Sequence, residues 1–285
     1  MAAPTERSAR ASIPLLFQAR IALPAAWILL VVVLGLASPW LPIPPPNAMD
    51  FLAPAEAPSM KHLFGTDLDG RDLFARAVHG ARISLFVGLV APALGLLIGG
   101  TLGLLAAYYG GLLRASILGA LDLILAFPTL VLALALTSVL GQSMENVTVA
   151  LGIVSIPAFA RIARASALPL LTREFVLAAR TAGAGDPYIL TREVLPNMLM
   201  PLLTYFLTMI SVMIVAEGSL SFLGVGIPPP APSWGGMIAY GREALERAPH
   251  VTLIPATVMF LTVLSLNLIG DWVRQRTEAK EGGLS

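Results

Sequence analysis

The stretch SLFVGLVAPALGLLIGGTLGLLAAYY, Ser84–Tyr109, decides the class of fold. No charge interrupts the chain between Arg82 and Arg114. As a helix it exceeds the ~20 apolar residues needed to cross the ~30 Å hydrocarbon core of a bilayer. Gly88, Gly95, Gly99 and Gly103 recur within it, the last three at four-residue spacing, so they share one face and admit a second helix closely. Pro92 predicts a kink whose freed carbonyl neighbouring helices satisfy.

Similar windows lie on either side. Ile21–Pro39 is charge-free, and others run between Asp122 and Glu145, from Asn146 toward Pro169, from Val194 to Glu217, and between His250 and Asp271. The predicted spans are 21–39, 84–109, 117–140, 146–168, 198–222 and 251–271. The fourth is bracketed by Glu145 and Arg161, so Arg161 must snorkel or the helix must extend toward Pro169. The first window has Arg20 before it and Leu36-Ala37-Ser38 as a cleavage context, but its apolar region exceeds the roughly 7–15 residues of a secretory signal. Five further spans follow it, which favours an anchored helix.

Composition agrees. Of 285 residues 56% are hydrophobic and only 12% charged, with a mean hydropathy of +0.81. Soluble domains carry about 25% charged residues, and so little charge could not cover so much apolar surface in water. The expected fold is an all-α integral membrane protein of about six transmembrane helices. The absence of cysteine excludes disulfides and thiol chemistry. Neither Lys61 nor Lys280 stands in a GxxxxGK[ST] loop, and His62, His79 and His250 show no metal-ligand spacing. With no HExxH and no GxSxG, no catalytic residue and no metal site are expected. Nothing in the pattern calls for nucleic acid.

Lys and Arg placement orients the bundle. With the N-terminus inside, the inner segments hold twelve basic residues and the outer segments six, namely Lys61, Arg71, Arg76, Arg82, Arg242 and Arg247. Both termini and the loop 169–197 are therefore expected in the cytoplasm, with 40–82 and 223–250 outside. In the second outer segment a short interfacial helix is expected over 235–247, with Glu243 and Arg247 paired and Trp234 at the membrane–water boundary. Trp234, Arg242 and Glu246 are candidates for an outer surface that contacts a partner. Two acidic residues lie within or beside spans, Asp122 and Glu217. A proton- or ion-coupled secondary transporter would use them as coupling sites. The plainer reading leaves Asp122 in the cytoplasmic interface and Glu217 bonded inside the bundle.

The inner loop reads as a hairpin. Thr172 suits an N-cap and Glu174 the first turn of a helix over about 173–183. Ala178 with Ala182, and Ala179 with Gly183, form adjoining small-residue stripes, and Gly183 and Gly185 end the helix. Asp186-Pro187 then starts a second helix, with Asp as N-cap and Pro at the first helical position. The smooth patch suits close approach of a partner protein, and equally a hairpin resting on lipid.

This loop resembles the EAA motif of ABC importer permeases: Ala178, Ala179, Gly183, Leu195 and Pro196 match at the family's spacing, while Leu177 replaces its Glu and Glu193 its Ile. More of the chain resembles one subfamily, the second permease of dipeptide, oligopeptide and nickel importers. The matches are Gly65-Thr66-Asp67, Gly70-Arg71-Asp72, Gly80-Ala81-Arg82-Ile83-Ser84, Tyr108-Tyr109-Gly110-Gly111 and Ala126-Phe127-Pro128. After the loop come Ser219–Gly224, Pro232-Ser233-Trp234-Gly235 and Asn267–Asp271. The resemblance implies a type I ABC importer-like permease bundle with a core over 64–272. The region 1–63 holds the cytoplasmic N-terminus, first helix and start of the outer segment; 172–197 holds the coupling hairpin and 273–285 a cytoplasmic tail. It implies a homologous second permease, two cytoplasmic ATPase subunits that carry ATP and Mg, an extracytoplasmic solute-binding protein, and residence in a bacterial or archaeal cytoplasmic membrane. This chain itself would need no cofactor. The cargo implied is most often a di- or oligopeptide.

Overall fold

The computed structural model describes residues 15–282. The first fourteen and last three residues, which include parts of the expected terminal segments, lie outside the described residues. The described chain is helical throughout its ordered elements, with two isolated β-bridges, Met49–Arg71 and Thr66–Asp72. Four helical stretches are long and apolar enough to cross a bilayer. They are α2 (Leu73–Tyr108), α5 (Met144–Leu170), the continuous run Asp186–Phe222, and the His250–Arg276 part of α10 (His250–Gly282). α1 (Leu15–Ala37) contributes a shorter apolar stretch, Ile21–Ala37.

The single span expected over 117–140 is two helices. α3 (Gly111–Leu125) and α4 (Thr129–Leu140) meet at 88° across Ala126-Phe127-Pro128. Proline has no N–H to continue the helix and drives the preceding residue away from helical angles, so the apolar run turns where it was expected to continue. Counting the bent pair as one span gives up to five such spans, with α1 as the shorter sixth helix. α5 resolves the fourth window by extension: it runs through Pro157 and Pro169 to Leu170, and Ser143 caps its start by accepting from the Asn146 N–H at 3.1 Å.

α2 and α5 form the centre. A methyl group placed on Gly95, Gly99 or Gly103 would collide with Ser155, with the Ile156 carbonyl or with the Ala160 carbonyl. The small face therefore brings α5 backbone directly onto α2, as the spacing indicated. Gly88 does the same toward Ile214 of α8 (Leu195–Phe222). Fully buried Val87, Ala91, Leu151 and Phe159 fill the space between. α1 is tied on by the Trp27 indole, which donates to Thr262 Oγ1 at 3.1 Å.

The segment before α2 is a compact polar cap. Asp72 caps α2 by accepting from the Ala75 N–H at 2.8 Å and also lies 2.9 Å from His62 Nδ1. Buried Arg71 pairs with Asp67 at 2.7 Å and with Asp69 at 2.6 Å. Arg76 donates to the Pro46 carbonyl at 3.0 Å. Gly70, at φ +76°, lies against the Asp50 carbonyl, where no side chain fits.

Candidate functional site: the hairpin between α5 and α8

The hairpin begins one residue later than its sequence suggested. Arg173 occupies the N-cap position of α6 (Glu174–Thr181), while Thr172 turns its hydroxyl back to the Pro169 carbonyl at 3.0 Å. Glu174 sits in the first turn, as the helix dipole favours. α6 ends in a Schellman turn: the Gly183 N–H donates to Arg180 O and the Ala184 N–H to Ala179 O, both at 3.0 Å. Gly183 has φ +82°, and a Cβ there would meet nothing within 4 Å. Glycine is required here by backbone handedness, and the surrounding space is open. Gly185 caps the next turn, α7 (Asp186–Tyr188), with Asp186 as its first helical residue.

From α7 the backbone passes through a π-helical turn, Ile189–Val194, before α8 starts at Leu195. Leu195 N–H reaches back to the Leu190 carbonyl, one residue further than an α-helix allows. Pro196 explains the wide turn, because its ring would clash with the carbonyl four residues back in a regular helix and it has no N–H to offer. Asn197 Nδ2 donates to the Glu193 carbonyl at 2.6 Å within the same stretch.

The hairpin has two faces. Val176, Ile189 and Val194 are fully buried in the main core with Leu104 and Ala107 of α2, and Ala179 and Leu195 pack half-buried against them. The opposite face holds exposed Ala178, Gly183 and Pro196, together with Phe175, Leu177 and Tyr188 at 37%, 47% and 53% exposure. Ala178, Ala179 and Gly183 thus fall together on α6 and its cap. Leu195 and Pro196 lie beyond the π turn.

A polar contact adds to this packing between the hairpin and α2. Tyr108, the last residue of α2, donates its phenolic O–H to Asp186 Oδ1 at 2.6 Å, and the Arg180 guanidinium sits over its ring at 5.6 Å. The Tyr108-Tyr109 pair stood in the sequence only as part of a family pattern. Its signal was physical as well: a phenol ending a long apolar span beside a loop that offers an aspartate. Phe175 and Tyr188 carry no motif signal in the sequence, and Leu177 stands there only as a departure from the family pattern.

The other candidates do not assemble into one surface. Trp234, expected at a membrane boundary, is fully buried: its indole donates to the Ala77 carbonyl at 2.9 Å and its backbone N–H to Ser84 Oγ at 3.1 Å. α9 (Trp234–Gly241) is shorter than expected and tightens into a 3-10 turn over Arg242–Ala244. The tighter turn takes Glu243 and Arg247 off a common face, and they form no ion pair. Arg242 lies over the Phe222 ring at 5.3 Å, and Glu246 is exposed. Glu217 is fully buried and accepts from Ser221 at 2.8 Å and Ser233 at 2.9 Å, whereas Asp122 is 3.5 Å from Arg161 in a different part of the bundle. Their partners do not overlap, so they form no shared coupling site. Among the described residues no group of His, Asp or Glu could hold a metal ion.

The bundle of several apolar spans thus projects a small hairpin that is buried on one face and bare on the other. The chain belongs to the family of binding-protein-dependent transport system inner membrane components, whose pattern matches residues 99–280. It is 41% identical over 253 residues to the glutathione transport system permease protein GsiD of Pectobacterium atrosepticum, covering 89% of this chain and 84% of that one. A putative peptide transport system permease protein of Brucella suis is 40% identical over 247 residues, covering 87% and 83%. Among solved structures, the inward-facing MetNI methionine ABC transporter superposes with a TM-score of 0.58 at 18% identity over 70% of this chain and 95% of that one. An amino acid ABC transporter solved with histidines gives 0.55 at 17% identity, over 71% and 94%. The fold is therefore that of a type I ABC importer permease. The protein is a multi-pass inner-membrane permease subunit of an ABC importer and not an enzyme.

Proposed function

We propose that this permease core, 64–272, carries di- or oligopeptides or related small peptides such as glutathione into the cell by alternating access, and that its hairpin receives the drive from ATPase subunits. The observation that carries the proposal is the two-faced hairpin: Val176, Ile189 and Val194 are built into the transmembrane core while Ala178 and its apolar neighbours stand bare. A partner that moves the bare face must move the core with it, because packed helices transmit shifts as rigid bodies. Two cytoplasmic ATPases binding ATP and Mg, a homologous second permease and an extracytoplasmic binding protein complete the assembly. The excess of Lys and Arg in the inner segments supports an orientation with both termini and the hairpin in the cytoplasm. The peptide and glutathione permeases to which the chain is similar support the cargo class.

Vesicles reconstituted with this chain, its sister permease and the ATPases should take up a labelled di- or tripeptide only with ATP, and should continue when the proton gradient is collapsed. Uptake by this chain alone, driven by a proton gradient, would overturn the proposal in favour of a secondary transporter.

A further inference from the structure

We propose that the cavity between α2, α3 and α5 holds the phosphate headgroup of an anionic membrane lipid on the hairpin side of the bilayer. The inference rests on the orientation proposed above but on neither the cargo nor the coupling role. The cavity has a volume of about 420 Å³ and is lined by Leu118, Leu121 and Asp122 of α3 and by Arg161, Arg164 and Leu168 of α5. Arg161 and Arg164 are three residues apart and share a helix face. Arg164 Nε is buried and has no hydrogen-bond partner. A buried donor left unmet is costly, so this N–H of the half-buried Arg164 is open to an acceptor from outside the chain.

The one carboxylate in the lining does not fill that role. Asp122 lies 3.5 Å from Arg161, longer than the ~2.7–2.9 Å of a charge-assisted bond, and the two side chains are 64% and 70% exposed. The lining thus presents two guanidiniums against one loosely engaged carboxylate. A guanidinium fork matches phosphate oxygens in pairs. Arg164 lies six residues before the end of α5 at Leu170, about 9 Å along the helix, a depth suited to a headgroup rather than to the bilayer centre. The remaining walls are apolar, made by Leu118, Leu121 and Leu168 with Gly103, Ala160 and Ala165, and Leu168 is 40% exposed. A peptide would bring amide donors and an ammonium, for which Asp122 is the one side-chain acceptor. A phospholipid brings phosphate to the arginines and acyl chains to the leucines. Basic pockets between helices on the cytoplasmic side take anionic headgroups on this principle.

The test uses the assembled transporter, equilibrated with phosphatidylglycerol or phosphatidylcholine vesicles, extracted in mild detergent and examined by native mass spectrometry. Wild type should retain phosphatidylglycerol and not phosphatidylcholine, and the Arg161→Gln/Arg164→Gln pair should lose one phosphatidylglycerol per chain. Asp122→Asn, at an exposed site that leaves packing intact, should retain it more firmly. Equal retention by wild type and the double variant, or no gain in Asp122→Asn, would overturn the site. Displacement of the lipid by inorganic phosphate or by a peptide would identify a soluble anion as occupant and contradict the lipid assignment. Because the readout is bound lipid, the result is independent of whether ATP-driven peptide uptake succeeds.

Discussion

Tyr108→Phe isolates the polar contact between the hairpin and α2. The variant keeps the ring beneath Arg180 and removes only the O–H that Asp186 accepts at 2.6 Å. That length falls in the ~2.5–2.7 Å range of O–H···O⁻ bonds. A hydrogen bond to a charged group is worth about 1.5–3 kcal/mol net. Here both partners are reached by water, which lowers the expected loss to about 1 kcal/mol. At about 1.4 kcal/mol per decade, the population in which the hairpin detaches from α2 should rise about fivefold. The readout is hydrogen exchange of the amides over Ile189–Val194, which should quicken by that factor while those of α5 do not change. In the assembled transporter the same variant should hydrolyse more ATP per peptide moved, because hairpin displacement is passed less faithfully to the bundle. Asp186→Asn keeps an acceptor oxygen and should show a smaller effect. Unchanged exchange over 189–194 together with unchanged coupling in Tyr108→Phe would refute the reasoning.

Three further outcomes follow. Gly99→Ala forces a methyl into the Ile156 carbonyl, where backbone cannot yield as a side chain can, and should destabilise the bundle by about 1–3 kcal/mol, read as a lower melting temperature in detergent. The orientation predicts that an impermeant thiol reagent labels Met60→Cys and Glu246→Cys in intact spheroplasts and spares Thr181→Cys; labelling at 181 in sealed cells would invert the topology. Burial, aided by the Asp69 carboxylate, pushes the Tyr240 phenol up to about 12. A raised folded value means the stability it lends is fully present below the unfolded value of about 10 and is lost as pH rises through 12, so the wild-type minus Tyr240→Phe tyrosinate absorbance should appear near 12, and an appearance near 10 would contradict that environment.

The spans were readable because lipid demands long apolar runs, and the glycine face of α2 because close helix approach demands small residues at fixed spacing. What an apolar run cannot report is direction, so the 88° turn at Pro128 stayed hidden inside a plausible single span. Trp234 shows a second limit. An indole suits a membrane boundary or a core equally well, and the choice rests on the Ala77 carbonyl, 157 residues away in sequence. At the hairpin, the residues of the pattern were in view but their reasons were partly different. Gly183 serves a left-handed turn facing open space, and Pro196 imposes a π turn that local propensity does not announce. The Tyr108–Asp186 bond bridges 78 residues, a pairing that only the folded bundle defines.

The central claim is that the bare face of the hairpin seats against an ATPase subunit. The natural chain has no cysteine, so Ala178→Cys introduces a unique attachment point for a maleimide–benzophenone probe. Photolysis of the assembled transporter should join this chain to an ATPase subunit from position 178, in a yield that changes with ATP, and should give no such product from Glu246→Cys. No ATPase adduct from 178 in a transporter that turns over, or an equal adduct from 246, would contradict the account.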